Sequence, residues 1–368
     1  MIVIPLVDHA NAADGTLFLV MSGGPVVLSI LCYVLAVSKL SHVGWRAKQK
    51  VGPSSTQSGT NSSSGPLSNR VKRKAQWNMH PPFKETGSFP PPVFVTACSE
   101  NHLSEELRAI ETVQLQFPGQ KIVFYDLGLS PASAEKFKTF CNVQLRRFPF
   151  EKYPPHVRNL QQYRWKPLVI QETLREFGAI WYFDSSVVWK TDNLSAVYKD
   201  LAMCHRNQSK TASKTKAWRC DKSAYLLHSP TGHGIYATTH PDVFKYLPSN
   251  ESMLRSVDRR VQMHEAGFVF AVRTKRVVDT ILKWYVLCAL EDGCMGPKGA
   301  RLHCAFGNSP YSVYANCHRF DQSVVNLLLA NSHDFESRWY SSGISGFYSV
   351  TRGGAIGHPK VCNTFRKQ

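Results

Sequence analysis

The chain has 368 residues, of which 43% are hydrophobic, 11% aromatic and 19% charged. That balance excludes collagen-like, coiled-coil and wholly disordered chains, and the length allows one large domain or two small ones. Lys and Arg total 44 against 26 acids, a net charge of +18, which favours anionic partners such as nucleotide phosphates, acidic glycans or lipid headgroups.

Residues 1–14 form a short N-terminal tail. Residues 15–38 carry no charge and are mostly apolar. About 20 such residues span a bilayer as one helix, and Gly23, Gly24 and Pro25 are tolerated there. No positively charged segment precedes the stretch, which argues against a cleaved signal peptide. The reading is a single membrane-crossing helix. Its flanks disagree about orientation. Lys39, Arg46, Lys48 and Lys50 follow the span, so the positive-inside rule puts the large domain in the cytosol. Cysteines and sequons point to the lumen.

Ten cysteines are present, nine of them from Cys98 onward, and none forms a CxxC pair. Disulfides in an oxidising compartment fit better than zinc, and an odd count leaves at least one thiol free or paired with another chain. Sequons at Asn61, Asn193, Asn207 and Asn250 are candidate glycosylation sites. The lumenal orientation is the one expected.

Residues 39–91 read as a flexible stem, rich in Ser, Gly, Thr, Asn and Pro and too poor in apolar residues to fold. Within it, residues 70–74 (RVKRK) suit a nuclear signal, a patch for anionic surfaces, or a dibasic site where cleavage after Arg73 or Lys74 would release the domain. A solvated charge run is the plainest alternative. The stem and all before it hold nine bases and three acids up to residue 90, so +12 of the net charge belongs to residues 91–368.

The folded domain is expected over residues 92–368. Residues 93–96 form a strand, and Asn101 is placed to cap a helix carrying Leu103, Leu107 and Ile110 on one face. Pro118 and Gly119 end that helix, and residues 121–125 form a second strand. Ser130 caps the next helix, with Pro131 where a missing N–H costs nothing. Pro167 opens a helix whose stripe is Ile170, Leu174 and Phe177, and Gly178 closes it. Residues 179–183 are a buried strand with Asp184, Ser185 and Ser186 at its carboxyl end. Strand–helix–strand alternation implies a parallel sheet, and ligands bind outside the carboxyl ends of such strands. Asp184 therefore stands where a metal or ribose contact would be, unless it only caps a turn.

Residues 163–189 resemble the nucleotide-binding half of glycosyltransferases with the GT-A fold, in which a helix leads to an apolar strand ending in an acidic motif, usually Asp-x-Asp. Residues 124–130 (FYDLGLS), 163–166 (YRWK) and 317–323 (CHRFDQS) together resemble an animal family of unknown function placed in the nucleotide-diphospho-sugar transferase superfamily. The likeness covers roughly residues 92–365. It implies an α/β fold with a Rossmann-like, mixed but mostly parallel sheet flanked by helices. It also implies a single-pass Golgi enzyme that moves a sugar from a nucleoside-diphosphate sugar, expected to be a UDP-sugar, to a hydroxyl of a glycan, protein or lipid.

In that group the acidic motif anchors Mn2+ or Mg2+ against the leaving pyrophosphate. Here Ser186 replaces the second acid. Three alternatives stay open: Asp184 holds the metal with another residue, the enzyme is metal-independent, or catalysis has been lost. Metal-independent relatives put basic side chains on the diphosphate, which makes Arg164 and Lys166 candidates. The resemblance places the base near Thr96 and Cys98, at the end of the first strand, with Asp126 ending the second.

Residues 264–273 (HEAGFVFAVR) resemble the strand that floors the acceptor site. A helix with Val277, Val278, Ile281, Leu282 and Tyr285 on its buried face follows, then a Cys- and Gly-rich loop over 288–317. Asp321 opens a helix carrying Val324, Leu327 and Leu328. An inverting transfer needs a general base beside the acceptor hydroxyl, for which Glu265 and Asp321 are candidates. Asp321 in a first turn also just complements the helix dipole. Gly357-His358-Pro359-Lys360 resembles the C-terminal His and Lys of retaining, metal-dependent relatives, at a different spacing, making His358 a candidate metal ligand. His228, His233 and His240 read as loop and helix-start residues.

The leading reading is a lumenal glycosyltransferase. The second is a catalytically inactive member of the fold that binds glycans or stabilises a partner. The third is a cytosolic or nuclear basic protein, marked by unmodified Asn193, Asn207 and Asn250 and by free thiols. No nucleic-acid partner is expected.

Overall fold

The computed structural model describes residues 89–210 and 222–362. The proposed membrane span over 15–38, Asn61 and the 70–74 run lie outside them. No helix among the described residues is long and apolar enough to cross a membrane.

Strand β1, Val93–Cys98, is followed by helix α1, Leu103–Gln116; then come β2, Ile122–Asp126, helix α2, Pro131–Lys138, and β3, Val143–Arg147. Helix α3, Trp165–Phe177, leads into β4, Ala179–Phe183, and a short β5, Val187–Trp189, precedes helix α4, Ser195–Lys210. The second half holds β6, Tyr225–Leu226, β7, Pro230–Gly234, β8, Gln262–His264, and β9, Phe268–Val272. A π-helical stretch, Val277–Leu282, runs into α5, Lys283–Leu290; α6 is Asp321–Ser332 and β10 is Tyr348–Val350.

Six strands form the central sheet in the order β3-β2-β1-β4-β9-β6. β3, β2, β1 and β4 are parallel, and β9 is antiparallel to both of its neighbours. The expected mixed, mostly parallel sheet is present. Connections leave β1 towards β2 and β3 on one side and reach β4 on the other, so the chain reverses its direction of winding between β1 and β4. A crevice opens at the carboxyl ends of strands at such a point. β10 pairs with β5, and β7 with β8, as two antiparallel ribbons.

Local chemistry explains the elements that position the site. All five residues of β4 are buried, as a central strand covered on both faces requires. Gly178 ends α3 at φ 80°, a conformation that carries no steric penalty only without a Cβ. The α3 helix starts at Trp165, two residues before the expected Pro167, because a proline in the first turn lacks only an N–H that would have no partner there. Ser130 caps α2 as expected, accepting from the Ser133 N–H. Asn101 does not cap α1: it lies within a 3-10 turn, Glu100–His102, and accepts from Ser99 Oγ at 2.6 Å instead. Residues 264–273 are not one strand. The chain turns at Glu265–Gly267, so β8 joins one ribbon and β9 the main sheet.

Trp181 centres the core, its ring stacked on Phe268 at 5.2 Å and on His228 at 5.3 Å. Phe89, assigned to the stem by composition, packs its ring 5.5 Å from both Tyr198 and Phe270. Disulfides join Cys141 to Cys362, Cys288 to Cys294 and Cys304 to Cys317. Two of them staple the loop over 288–317. Cys98 is a buried free thiol.

Candidate active site

The carboxyl edge at the β1–β4 reversal is built around Asp184. Its backbone N–H donates to the Gly267 carbonyl at 2.7 Å, tying the end of β4 to the start of β9. A Cβ on Gly267 would stand 2.6 Å from Asp184 Oδ2, so a larger residue here would push that carboxylate aside. The Tyr182 hydroxyl donates to Oδ1 at 2.7 Å, and the Lys166 ammonium reaches the carboxylate at 3.1 Å. The Asp184 side chain keeps 30% of its exposure, so it faces the opening.

Lys166 is sealed in. Its side chain is 3% exposed, and its ammonium also pairs with Asp321 Oδ2 at 2.8 Å. The Lys166–Asp321 contact is a close, buried charge pair. The rings of Tyr163, Tyr182 and Trp165 lie 5.3–5.9 Å from the ammonium. Burial opposes the charge on Lys166, but the two carboxylates win and raise its pKa. Burial also raises the pKa of Asp321, against the pull of Lys166. Two residues of this cluster are held in unusual backbone conformations: Tyr163 at φ 54° and Phe320 at φ 45°. Such conformations cost on the order of 1–3 kcal/mol each and persist only where surrounding structure imposes them.

A further carboxyl lies below. Glu106, in the first turn of α1, is fully buried and accepts from Thr96 Oγ1 at 3.0 Å, while its Oε1 has no partner. Burial first, then the charge of Asp184, pushes its pKa up to about 8. Glu265 is half-buried at the turn between β8 and β9, and burial and the charge of Asp184 raise its pKa, opposed by Arg352 and Arg319.

Arg352 is exposed, and the loop that carries it is held in place. Arg108 donates to the carbonyls of Thr351, Gly353 and Ala355, while Glu105 accepts from the Gly353 N–H at 2.8 Å. This bracket sets the Arg352 charge near Glu265, Glu105 and Tyr163, whose protonation it influences.

Several residues expected in the site are committed elsewhere. Arg164 does not face a ligand: its guanidinium is fully buried and donates to the Gln162 side chain and to the carbonyls of Ala289, Glu291 and Asp292 at 2.6–3.0 Å. It clamps the end of α5 because an unpaired guanidinium cannot be buried. Lys166 is likewise held by two carboxylates rather than open to a diphosphate. Thr96 is buried against Glu106, and Cys98 is buried with its thiol pKa raised by that burial, so neither side chain is open to a base. Ser186 is buried, and its carbonyl accepts from the Thr351 N–H at 2.8 Å. Asp321 is too enclosed to reach an acceptor.

His358 is exposed beside the flank of α1 that Gly357 touches at Arg108, and Lys360 beyond it contacts Gln114 and Cys141 near the other end of the sheet. It does not join Asp184. Among the described residues no group of three His, Cys, Asp or Glu side chains is placed to hold a metal ion. His228 lies in a loop and His240 caps a 3-10 turn at Asp242, as expected, whereas His233 falls within β7. Burial lowers the pKa of His228 to about 3 and that of His233 to about 4.

Asp126 does lie on the same edge, paired in register with Cys98 of β1. Its Oδ1 accepts from the N–H groups of Gly128 and Leu129, which shapes the β2–α2 loop. Beside it opens a cavity of about 400 Å³ lined by Asp126, Arg147, Phe148, Phe150, Arg158 and Leu160 among others. The Arg158 guanidinium lies 5.7 Å from the Phe150 ring.

A family model described as "Protein of unknown function (DUF1647)" matches residues 78–171. The match runs from before β1 into α3 and stops short of Asp184. No curated protein matches the chain. Among solved structures, galactosyltransferase LgtC in complex with donor and acceptor sugar analogs is 13% identical, over 52% of this chain and 63% of that one, at a TM-score of 0.30. Glycosyltransferase GlyE of Streptococcus pneumoniae TIGR4 is 10% identical, over 69% and 46%, at 0.36. The mannosyltransferase Ktr4p of S. cerevisiae, in complex with GDP, is 10% identical, over 68% of each chain, at 0.38. The chain spans 63%, 39% and 63% of the first three such structures. At these scores the likenesses assign no residue a role, and the functional reading rests on this chain's own geometry.

That geometry adds four residues that sequence reasoning missed. Glu106 lies off the Leu103, Leu107 and Ile110 stripe, and only its burial marks it. Arg352 and its clamp, Glu105 with Arg108, join segments more than 240 residues apart in the chain. No spacing rule links them.

Proposed function

We propose that the protein is a glycosyltransferase that moves a sugar from a nucleoside-diphosphate sugar to an acceptor hydroxyl. The observation that carries the reading is Asp184, part-exposed at the carboxyl end of β4, where the winding of the sheet reverses beside β1. Asp126 and the neighbouring cavity lie two strands away on the same edge, which is roughly 10 Å at the usual strand spacing. That separation suits a nucleoside at Asp126 and a diphosphate-linked sugar near Asp184.

In this reading the aromatic and cationic cavity takes the nucleoside end, and Arg352 faces the diphosphate as an always-charged bidentate donor. Glu265, with its raised pKa, is the general base. It takes the acceptor hydroxyl's proton as the new C1–O bond forms and the C1–phosphate bond breaks, and the diphosphate leaves with the electron pair. A divalent ion, in enzymes that hold one, would neutralise the leaving diphosphate. The residues around Asp184 do not fit such an ion, so no step here uses one.

The donor is proposed to be a UDP-sugar, the acceptor a glycan, protein or lipid, and the compartment the Golgi or another part of the secretory pathway, with one membrane helix over 15–38. The three disulfides among the described residues support an oxidising compartment. Asn193 and Asn250, both exposed, are proposed glycan acceptors. Asn61 and the side chain of Asn207 lie outside the described residues.

One observation favours a second reading, a catalytically inactive glycan-binding or partner-stabilising protein: the Lys166 ammonium already pairs with both acids and offsets part of their charge. Donor hydrolysis and thermal shift with UDP-, GDP- and CMP-sugars separate the two. Hydrolysis by the wild type that is lost in Asp184→Asn supports the enzyme. A ligand-induced shift without turnover supports the binding protein. Neither turnover nor shift with any donor rejects nucleotide-sugar binding altogether.

A further inference from the structure

We infer that Lys166 is the resident cation of the Asp184–Asp321 pair, standing where carboxylates would otherwise gather a divalent ion, and that this site takes no divalent ion while the lysine is present. The inference concerns the metal alone and does not rest on the sugar-transfer reading.

The ammonium lies 3.1 Å from Asp184 and 2.8 Å from Asp321, with 3% of the side chain exposed. These are contact distances for an ion pair, so a second cation cannot enter between the two carboxylates without displacing the first. The remaining groups offer little in compensation. Mg2+ and Mn2+ prefer several hard oxygen ligands in a near-octahedral set. The Tyr182 hydroxyl is turned to Asp184 Oδ1 as a donor, Ser186 is buried, and among the described residues no third acid or histidine joins the pair to form a metal-holding group.

Every wall of the cluster is built to retain the lysine. Tyr163, Trp165 and Tyr182 present their rings to it, and a buried ammonium gains from ring faces at such distances. Tyr163 and Phe320, the residues in left-handed or strained conformations, pack 6.5 Å apart beside it and precede the helices that carry Lys166 and Asp321. The backbone at both helix starts is thus bent around the ion pair. Replacing Ser186 with an acid would not by itself restore a metal site, because the cation position is already filled from within the chain.

Removing the lysine should expose the latent site. In Lys166→Met the stem volume is retained while two carboxylates lose their counter-charge. Thermal unfolding of the full-length protein with MnCl2 or EDTA reads the outcome, alongside the EPR signal of free Mn2+. The wild-type Tm should be the same in both. Lys166→Met should be rescued by Mn2+, its Tm rising on the order of 5 °C at about a hundredfold excess over Kd, and the rise should vanish in Lys166→Met/Asp321→Asn.

Wild-type protein that sequesters Mn2+ through Asp184, shown by loss of binding in Asp184→Asn, overturns the inference. So does a folded Lys166→Met that gains no response to Mn2+. Should Lys166→Met fail to fold, the wild-type EPR titration decides alone. A free-Mn2+ signal that is fully retained, or is lost equally with Asp184→Asn, leaves the acid pair without metal and the inference standing.

Discussion

Glu106 gives the sharpest physical test of the cluster. Its pKa is raised from 4.5 to about 8, mainly by burial, with only the Thr96 hydroxyl to stabilise the charge. Between those two values the folded protein holds a proton that the unfolded chain has released. Stability therefore falls as pH rises through that window, by about 1.4 kcal/mol per pH unit at most. From pH 6 to pH 8 the loss attributable to this one group is about 2 kcal/mol, because the slope flattens as the folded pKa is reached.

Glu106→Gln removes the titration while keeping an oxygen to accept from Thr96. Urea unfolding of both proteins at pH 6, 7 and 8 isolates the effect as the stability difference between variant and wild type. The buried histidines, such as His228, His264 and His318, titrate well below this range and are common to both proteins. The difference should move in favour of the variant by about 2 kcal/mol between pH 6 and pH 8. A difference independent of pH would mean that Glu106 ionises normally, and the description of a dry floor beneath Asp184 would be wrong.

Three other outcomes follow from the same contacts. Arg164→Met should lower stability by about 3–5 kcal/mol, since it strips a buried guanidinium from three carbonyls, and should leave donor affinity per folded molecule unchanged; a donor-binding defect in stable protein would return Arg164 to the site. Non-reducing peptide mapping should recover the Cys141–Cys362, Cys288–Cys294 and Cys304–Cys317 links, with Cys98 resisting alkylation until the protein is unfolded. Rapid native alkylation of Cys98 would contradict its burial. Glu265→Gln should reduce kcat for transfer by about 10²–10⁴-fold with little change in donor KM, the usual worth of a general base, and a variant as fast as wild type would remove Glu265 from that role.

The sheet was largely legible in the sequence because its signals are local. The unbroken apolar run of β4, the Gly178 stop and the Ser130–Pro131 start each depend on neighbours a few residues away. The location of Asp184 followed, since a residue ending a buried parallel strand has only the carboxyl edge to occupy. The state of the other candidates was not legible. Arg164 and Lys166 lie two residues apart, yet one clamps α5 and the other enters the acid pair. Nothing in their spacing reports which face of the chain is enclosed. Asp321 lies 155 residues from Lys166, and only the packing of α6 against α5 and β8, and of α5 against α3, brings them together. Asn101 failed as a cap because Ser99 and a 3-10 turn intervene, a choice settled by φ and ψ rather than by residue type. The turn in the expected strand over 264–273 was signalled by Glu265 and Gly267, which break the alternation before the apolar run of β9.

The central claim is that an activated sugar binds across the carboxyl edge of β2, β1 and β4. A crystal structure of the protein grown with a non-hydrolysable UDP-sugar analogue tests it most directly. Density is expected to run from the Asp126 cavity to Asp184, with the diphosphate within hydrogen-bonding reach of Arg352. Density at another face, or an Asp184 carboxylate closed off from a bound nucleotide, would contradict the account.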